Sequence, residues 1–238
     1  MGPVLRACWI DSKASDREEL PSDFAEYLRA LNGLEGTGQS VAYALNPGGE
    51  DMVKLANHVK RIEVAGRNGP YVPDWLVLTE ELSIEGILDV EDRVAKLNAD
   101  ALGTNYEIIA RAVYHELISV RGPESKGDAD GLPPALQFGS FACTSPEEEW
   151  DLQKWYDTYR LPNIQRMTGA IGCRRYQSVA GPGKYAILYE FLSVEARLEN
   201  FEKPVESLAM DPNHPWKVGD YTVHTPMSPS VGGAVTLP

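Results

Sequence analysis

Short runs of apolar residues recur along this chain, and two of them are near copies of each other. Trp75–Glu85 reads WLVLTEELSIE and Tyr185–Glu195 reads YAILYEFLSVE, with Leu78/Leu188, Glu80/Glu190, Leu82/Leu192, Ser83/Ser193 and Glu85/Glu195 identical at an offset of 110 residues. Each copy predicts a strand running into a helix, because a β-branched and aromatic run meets a serine that can cap the next amides. Apolar residues then continue at helical spacing, as Val90, Val94, Leu97 and Ala101 in one copy and Val194, Leu198 and Phe201 in the other.

Upstream, VLRACWI at Val4 and ALQFGSFA at Ala135 correspond as first strands, so the first copy carries extra residues, placed at Pro47–Pro73. Prolines and glycines around a short helical run make that segment an excursion between two strands. The halves close with strands at Tyr106–Val120 and Asp220–Pro226, rich in β-branched or aromatic residues. The order β-α-β-β-α-β thus occurs twice. Residues 1–120 form the first repeat, 121–134 a polar Gly- and Pro-containing linker, 135–226 the second repeat, and 227–238 a tail expected to be irregular.

Split β-α-β units of this order make ferredoxin-like sandwiches, an antiparallel sheet with both helices on one face. The expected fold class is therefore α+β: two tandem ferredoxin-like βαββαβ repeats whose antiparallel sheets pack into an α+β barrel. The helix end W-Y-D-x-x-R-L-P at Trp155–Pro162, followed by Gly169, Arg174-Arg175-Tyr176 and Leu188-Tyr189-Glu190-Phe191, resembles the dimeric α+β barrel superfamily and, within it, EthD-like proteins. The resemblance covers most of the second half, and in the first half it rests on the internal repeat. It implies that one chain makes the barrel that family members commonly assemble from two, with a homodimer of such chains still open. One departure matters: Arg160 stands where the family usually has histidine. An arginine, with a pKa above about 12, is no general base near neutral pH.

A net charge of −13 argues against binding nucleic-acid phosphates or an anionic membrane. Three cysteines, Cys8, Cys143 and Cys173, without C-x-x-C spacing suggest reduced thiols and a cytoplasmic setting. The N-terminus lacks a signal-peptide run, and no window approaches the roughly 20 apolar residues of a membrane span.

Candidate chemistry gathers on the second half. Leu152, Trp155, Tyr156 and Tyr159 fall on one helical face, which serves the core, lines a pocket, or does both. Asp157 and Arg160 are spaced to pair on the helix surface, a pair repeated by Glu26 and Arg29. The functional alternative makes Arg160 an anchor for a substrate carboxylate or enolate. Of four histidines, His224 on the last strand is the preferred acid/base and His115 its first-half equivalent, since related barrels use a last-strand histidine. Alternation puts Tyr114 and Glu116 on the face opposite His115, so these residues form no triad. Trp216, in the proline-rich DPNHPWKVGDY, is a candidate lid over a pocket mouth. Glu80 and Glu190, present in both repeats, are assigned to the fold. No dinucleotide, Walker or H-E-x-x-H motif and no close metal-ligand spacing occurs, so no cofactor and no metal are expected.

The EthD-like resemblance implies a cofactor-independent lyase or isomerase, a decarboxylase, dehydratase or cyclase, acting on a small phenolic or polyketide-like substrate between helices and sheet. Two other classes stand beside it: a non-catalytic small-ligand-binding barrel, and a haem- or oxygen-dependent enzyme. The second repeat is expected to keep the open pocket, because the first has lost more of the motif.

Overall fold

The structure is a computed structural model that describes residues 3–13, 20–81, 83–127, 131–206 and 222–237. The first half runs β1 (Val4–Ser12), α1 (Ser22–Asn32), β2 (Ser40–Asn46), α2 (Glu50–His58), β3 (Lys60–Arg61), β4 (Trp75–Glu81), α3 (Ile84–Leu97) and β5 (Tyr106–Arg121). The second runs β6 (Ala135–Cys143), α4 (Pro146–Trp155), α5 (Leu161–Ile164), β7 (Ala170–Ala180), β8 (Tyr185–Phe191), α6 (Val194–Arg197), β9 (Thr222–His224) and β10 (Ser230–Ala234). π-helical turns extend α3 through Leu102, join α4 to α5 at Tyr156–Arg160, and continue α6 from Leu198 to Glu206. The repeated serines cap as their sequence suggests: Ser83 Oγ accepts from the amide of Gly86, and Ser193 Oγ from that of Ala196, both at 3.1 Å.

Strands β10-β2-β4-β1-β5-β7-β8-β6 lie side by side, and β10 also pairs with β6, so eight strands close a barrel. Within it, β5-β1-β4-β2 and then β7-β8-β6 with the last strands each follow the ferredoxin-like order, and every barrel pairing is antiparallel. Alternation sorts the side chains. Leu5, Ala7 and Trp9 of β1 and Leu136 and Phe138 of β6 fill the barrel interior with Tyr114, Tyr176 and Met227. Cys8 and Ile10 face outward onto α1 and α3 with Phe24, Tyr27, Val90 and Val94, while Phe141, Leu152, Trp155, Tyr156, Phe191 and Phe201 fill the matching layer of the second half.

The tail departs from expectation. Strand β9 holds three residues beside the C-terminal end of β6, and the barrel is closed instead by β10, inside the segment expected to be irregular. The small residues that argued against an element there are what admit one. A Cβ on Gly232 would lie 2.3 Å from the carbonyl oxygen of Ala44, so glycine permits the close approach of β10 to β2. Trp9 Nε1 donates to Ser230 Oγ at 2.9 Å and fastens the strand to the interior.

The excursion between β2 and β4 carries α2 and β3 and is held by the half-buried Arg61 and the buried Glu202. Arg61 donates to the carbonyl oxygens of Thr225 and Ser228, both at 2.7 Å, which ties the excursion to the turn before β10. Glu202, paired with Arg197 and 1% exposed, accepts from the amides of Gly49 and Met52 in the first turn of α2. Burial alone would raise the Glu202 pKa, but the hydrogen bonds from Arg197, Gly49 and Met52 bring it below the usual carboxylate range. Among the described residues, no helix is long and apolar enough to cross a membrane.

Candidate functional site

The helix end singled out in the sequence is a packed layer. Ser145 caps α4, and the chain then widens into the π turn at Tyr156–Arg160 before re-entering helix at Leu161, with Pro162 in its first turn. The helix runs on past Pro162 to Ile164, directly from the π turn. Trp155 and Tyr156 are buried edge to face with centroids 5.0 Å apart, and Tyr159 lies half-buried beside Trp155.

Arg160 is not on the helix surface. Its guanidinium carbon lies 4.7 Å from the ring centroid of Trp155, 5.0 Å from Phe201 and 5.6 Å from Tyr189, and the residue is 7% exposed. The expected Asp157–Arg160 pair is replaced by Asp157 with Arg175 of β7, at 3.3 Å. The π turn accounts for the change, since the extra residue per turn rotates Arg160 inward relative to α-helical spacing.

His224 and His115 are not brought together, since β7, β8 and β6 separate their strands. His224 sits opposite Phe141, with ring centroids 5.7 Å apart. Its Nδ1 is 2.9 Å from Ser228 Oγ and its Nε2 3.2 Å from Thr222 Oγ1. Burial, with help from the nearby Arg61 charge, pushes its pKa down to about 3, so the ring is neutral at pH 7. His115 lies partly exposed between Val4 of β1 and Gln177 of β7, on the face opposite the buried Tyr114. Trp216 falls outside the described residues.

A cavity between helices and sheet is found in the first half, where the sequence directs less attention. Arg6, Cys8, Tyr27, Leu31, Val77 and Thr79 line it together with Asn98 and Arg111, and its volume of about 20 Å³ has room for one water. Arg6 is 6% exposed, and none of its three guanidinium nitrogens makes a hydrogen bond. Glu81 and Glu91 stand 3.9 and 3.6 Å away, near enough to balance charge but beyond hydrogen-bond reach. Tyr27 donates to Asn98 at 2.9 Å. Burial pushes the Cys8 thiol up to about 12, so no thiolate is present for nucleophilic work at pH 7. The sequence did hold a signal for this site. Arg6 shares its strand face with Cys8 and Ile10, so a charge enters a face that α1 and α3 must cover.

No protein-family model matches the chain, and no curated protein sequence does. Solved structures match almost end to end. A variant chlorite dismutase from Candidatus Nitrospira defluvii is 12% identical with a TM-score of 0.52, covering 99% of this chain and 92% of that one. A haem-binding protein from Thermus thermophilus is 12% identical with a TM-score of 0.56, over 99% and 92%. A candidate monooxygenase from Fusobacterium nucleatum is 7% identical with a TM-score of 0.58, over 99% and 93%. In fold, the chain is chlorite dismutase-like. These structures bear out the α+β barrel and do not show the narrower EthD-like kinship.

The expected lyase or isomerase does not stand in this company. The neighbours are named for chlorite dismutation, haem binding and monooxygenation, which agrees with the haem- or oxygen-dependent class and not with cofactor-independent elimination or cyclisation. Haem itself does not fit the described residues. The helix–sheet layer of the second half is closed by Leu152, Trp155, Tyr156, Ile164, Phe191 and Phe201, each at most 7% exposed. The imidazole of His224 lies within reach of a hydroxyl at each nitrogen and tilted against the Phe141 ring, and the cavity lined by Arg6 does not open onto it.

Proposed function

We propose that the protein binds a small oxygen-bearing ligand in the first-half cavity, as a ligand-binding barrel of chlorite dismutase-like fold. The observation that carries this reading is Arg6, a guanidinium with five N–H donors, buried against a cavity and hydrogen-bonded to nothing. Buried donors left unsatisfied cost about 1–3 kcal/mol each, so an acceptor oxygen belongs there. Arg111, which shares the cavity wall, supports the same preference. The cavity's size favours water or a molecule of a few atoms over the aromatic or polyketide-like partner expected from the resemblance. EthD-like kinship and a cytoplasmic setting belong to this reading, motivated by the Trp155–Pro162 motif and three free thiols.

The test is a thermal-shift series with the three-heavy-atom anions formate, nitrite and chlorite at constant ionic strength, run on the wild type and Arg6→Met. Saturable stabilisation confined to the wild type is the expected result. Equal responses in both proteins reject the site.

A second reading, oxygen-dependent chemistry on the bound ligand, is favoured by the end-to-end likeness to the candidate monooxygenase and the chlorite dismutase. It is checked by oxygen uptake with any ligand that stabilises the protein. Titration with haemin is expected to give no stoichiometric Soret band; a sharp band lost in His224→Ala would restore haem and reject the non-haem reading.

A further inference from the structure

The exchange of histidine for arginine at the end of the π turn has a physical counterpart in what surrounds it. Trp155, Tyr189 and Phe201 come from three separate elements, the end of α4, β8 and the π-helical continuation of α6. Their rings converge on one point, and the guanidinium carbon of Arg160 lies within 5.6 Å of all three centroids. Aromatic faces carry negative quadrupole potential, and a cation within about 6 Å of a centroid is attracted to it, more strongly where water is excluded. Here water is excluded: Trp155 is 7% exposed, Tyr189 4% and Phe201 0%. Three converging buried faces are the arrangement that recognises guanidinium and alkylammonium ligands.

We propose that the helix–sheet layer of the second half is a cation site, of the class that takes a guanidinium or small alkylammonium group, and that the chain fills it with its own Arg160. The site is independent of the Arg6 cavity, which lies under the helices of the other half. Arg160 is then a built-in ligand that closes the layer and holds the π turn inward.

Chemical rescue tests this. Arg160→Ala removes the ligand and leaves the rings, and methylguanidinium chloride is titrated into the variant against sodium chloride at equal ionic strength. Methylguanidinium is expected to raise the thermal midpoint of the variant saturably, by about 3–6 °C at a tenfold excess over its dissociation constant. The wild type, whose cage is full, should show no such rise, and Arg160→Ala combined with Phe201→Leu should lose it. Should Arg160→Ala not fold alone, the same additive is expected to restore a cooperative transition, because binding and folding are then coupled. A variant that neither shifts nor regains cooperativity with methylguanidinium beyond its response to sodium chloride overturns the proposal, as does rescue that survives the loss of Phe201.

Discussion

Glu80 and Glu190, equivalent positions of the two repeats, meet on a single guanidinium. Arg174 of β7 pairs with Glu80 of β4 and bonds Glu190 of β8 through Nε at 2.9 Å and Nη2 at 2.5 Å. Both glutamates follow buried leucines, Leu78 and Leu188, on the inward face of their strands, so the identity preserved between the repeats belongs to the barrel end and joins the halves. Burial raises the pKa of Glu190, with Arg174 opposing it, and that of Glu116 nearby.

Arg174→Met should therefore destabilise the protein by about 3 kcal/mol at pH 7, since it leaves the buried Glu190 and the half-buried Glu80 without their counter-charge. The sign of the pH dependence follows from the raised pKa values. Protonating Glu190 and Glu116 relieves the stranded charge, so the penalty should shrink as the pH falls from 7 to 5. Urea unfolding at the two pH values measures it, and a constant penalty would show that these carboxylates do not carry the effect.

His224 gives an opposite check on the fold. Its folded pKa of about 3 lies below the unfolded value near 6.5, so the neutral ring contributes stability that is present above pH 6.5 and lost as the pH falls toward 3. Between pH 6.5 and 5 this amounts to about 2 kcal/mol. His224→Phe should remove that slope from urea midpoints taken across the range. An unchanged slope would place the acid sensitivity elsewhere.

Two neighbouring glycines in β10 should behave differently. At Gly232 a side chain would strike the Ala44 carbonyl, whereas at Gly233 a Cβ meets only Val194 Cγ2 at 3.5 Å and the Pro134 carbonyl oxygen at 4.0 Å. Gly232→Ala should cost about 1–3 kcal/mol by forcing β10 from β2, and Gly233→Ala should be nearly neutral. Thermal midpoints of the pair decide it; equal losses would mean that β10 does not close the barrel as described.

The repeat, the strand-to-helix joints and their serine caps were legible because each depends on residues a few positions apart. The second-half site was less so. Trp155, Tyr156 and Arg160 were visible as a group, but α-helical spacing pairs Arg160 with Asp157, and the π turn that breaks that pairing has no residue signature. Strand alternation puts Arg6 on the face that α1 and α3 cover, but only the placement of those helices leaves its guanidinium without an acceptor.

Local chemistry in the sequence determined the two ferredoxin-like halves, the excursion between β2 and β4, and the serine caps of the repeated strand-to-helix joints. The tertiary structure alone decided that a glycine-rich tail closes the barrel, that Arg174 gathers both repeated glutamates, and that Arg160 enters an aromatic cage while Arg6 faces a cavity. The reason is one of range. Propensity and periodicity act within a turn or a strand, whereas the partner of a buried charge is set by which distant strand or helix comes to cover it.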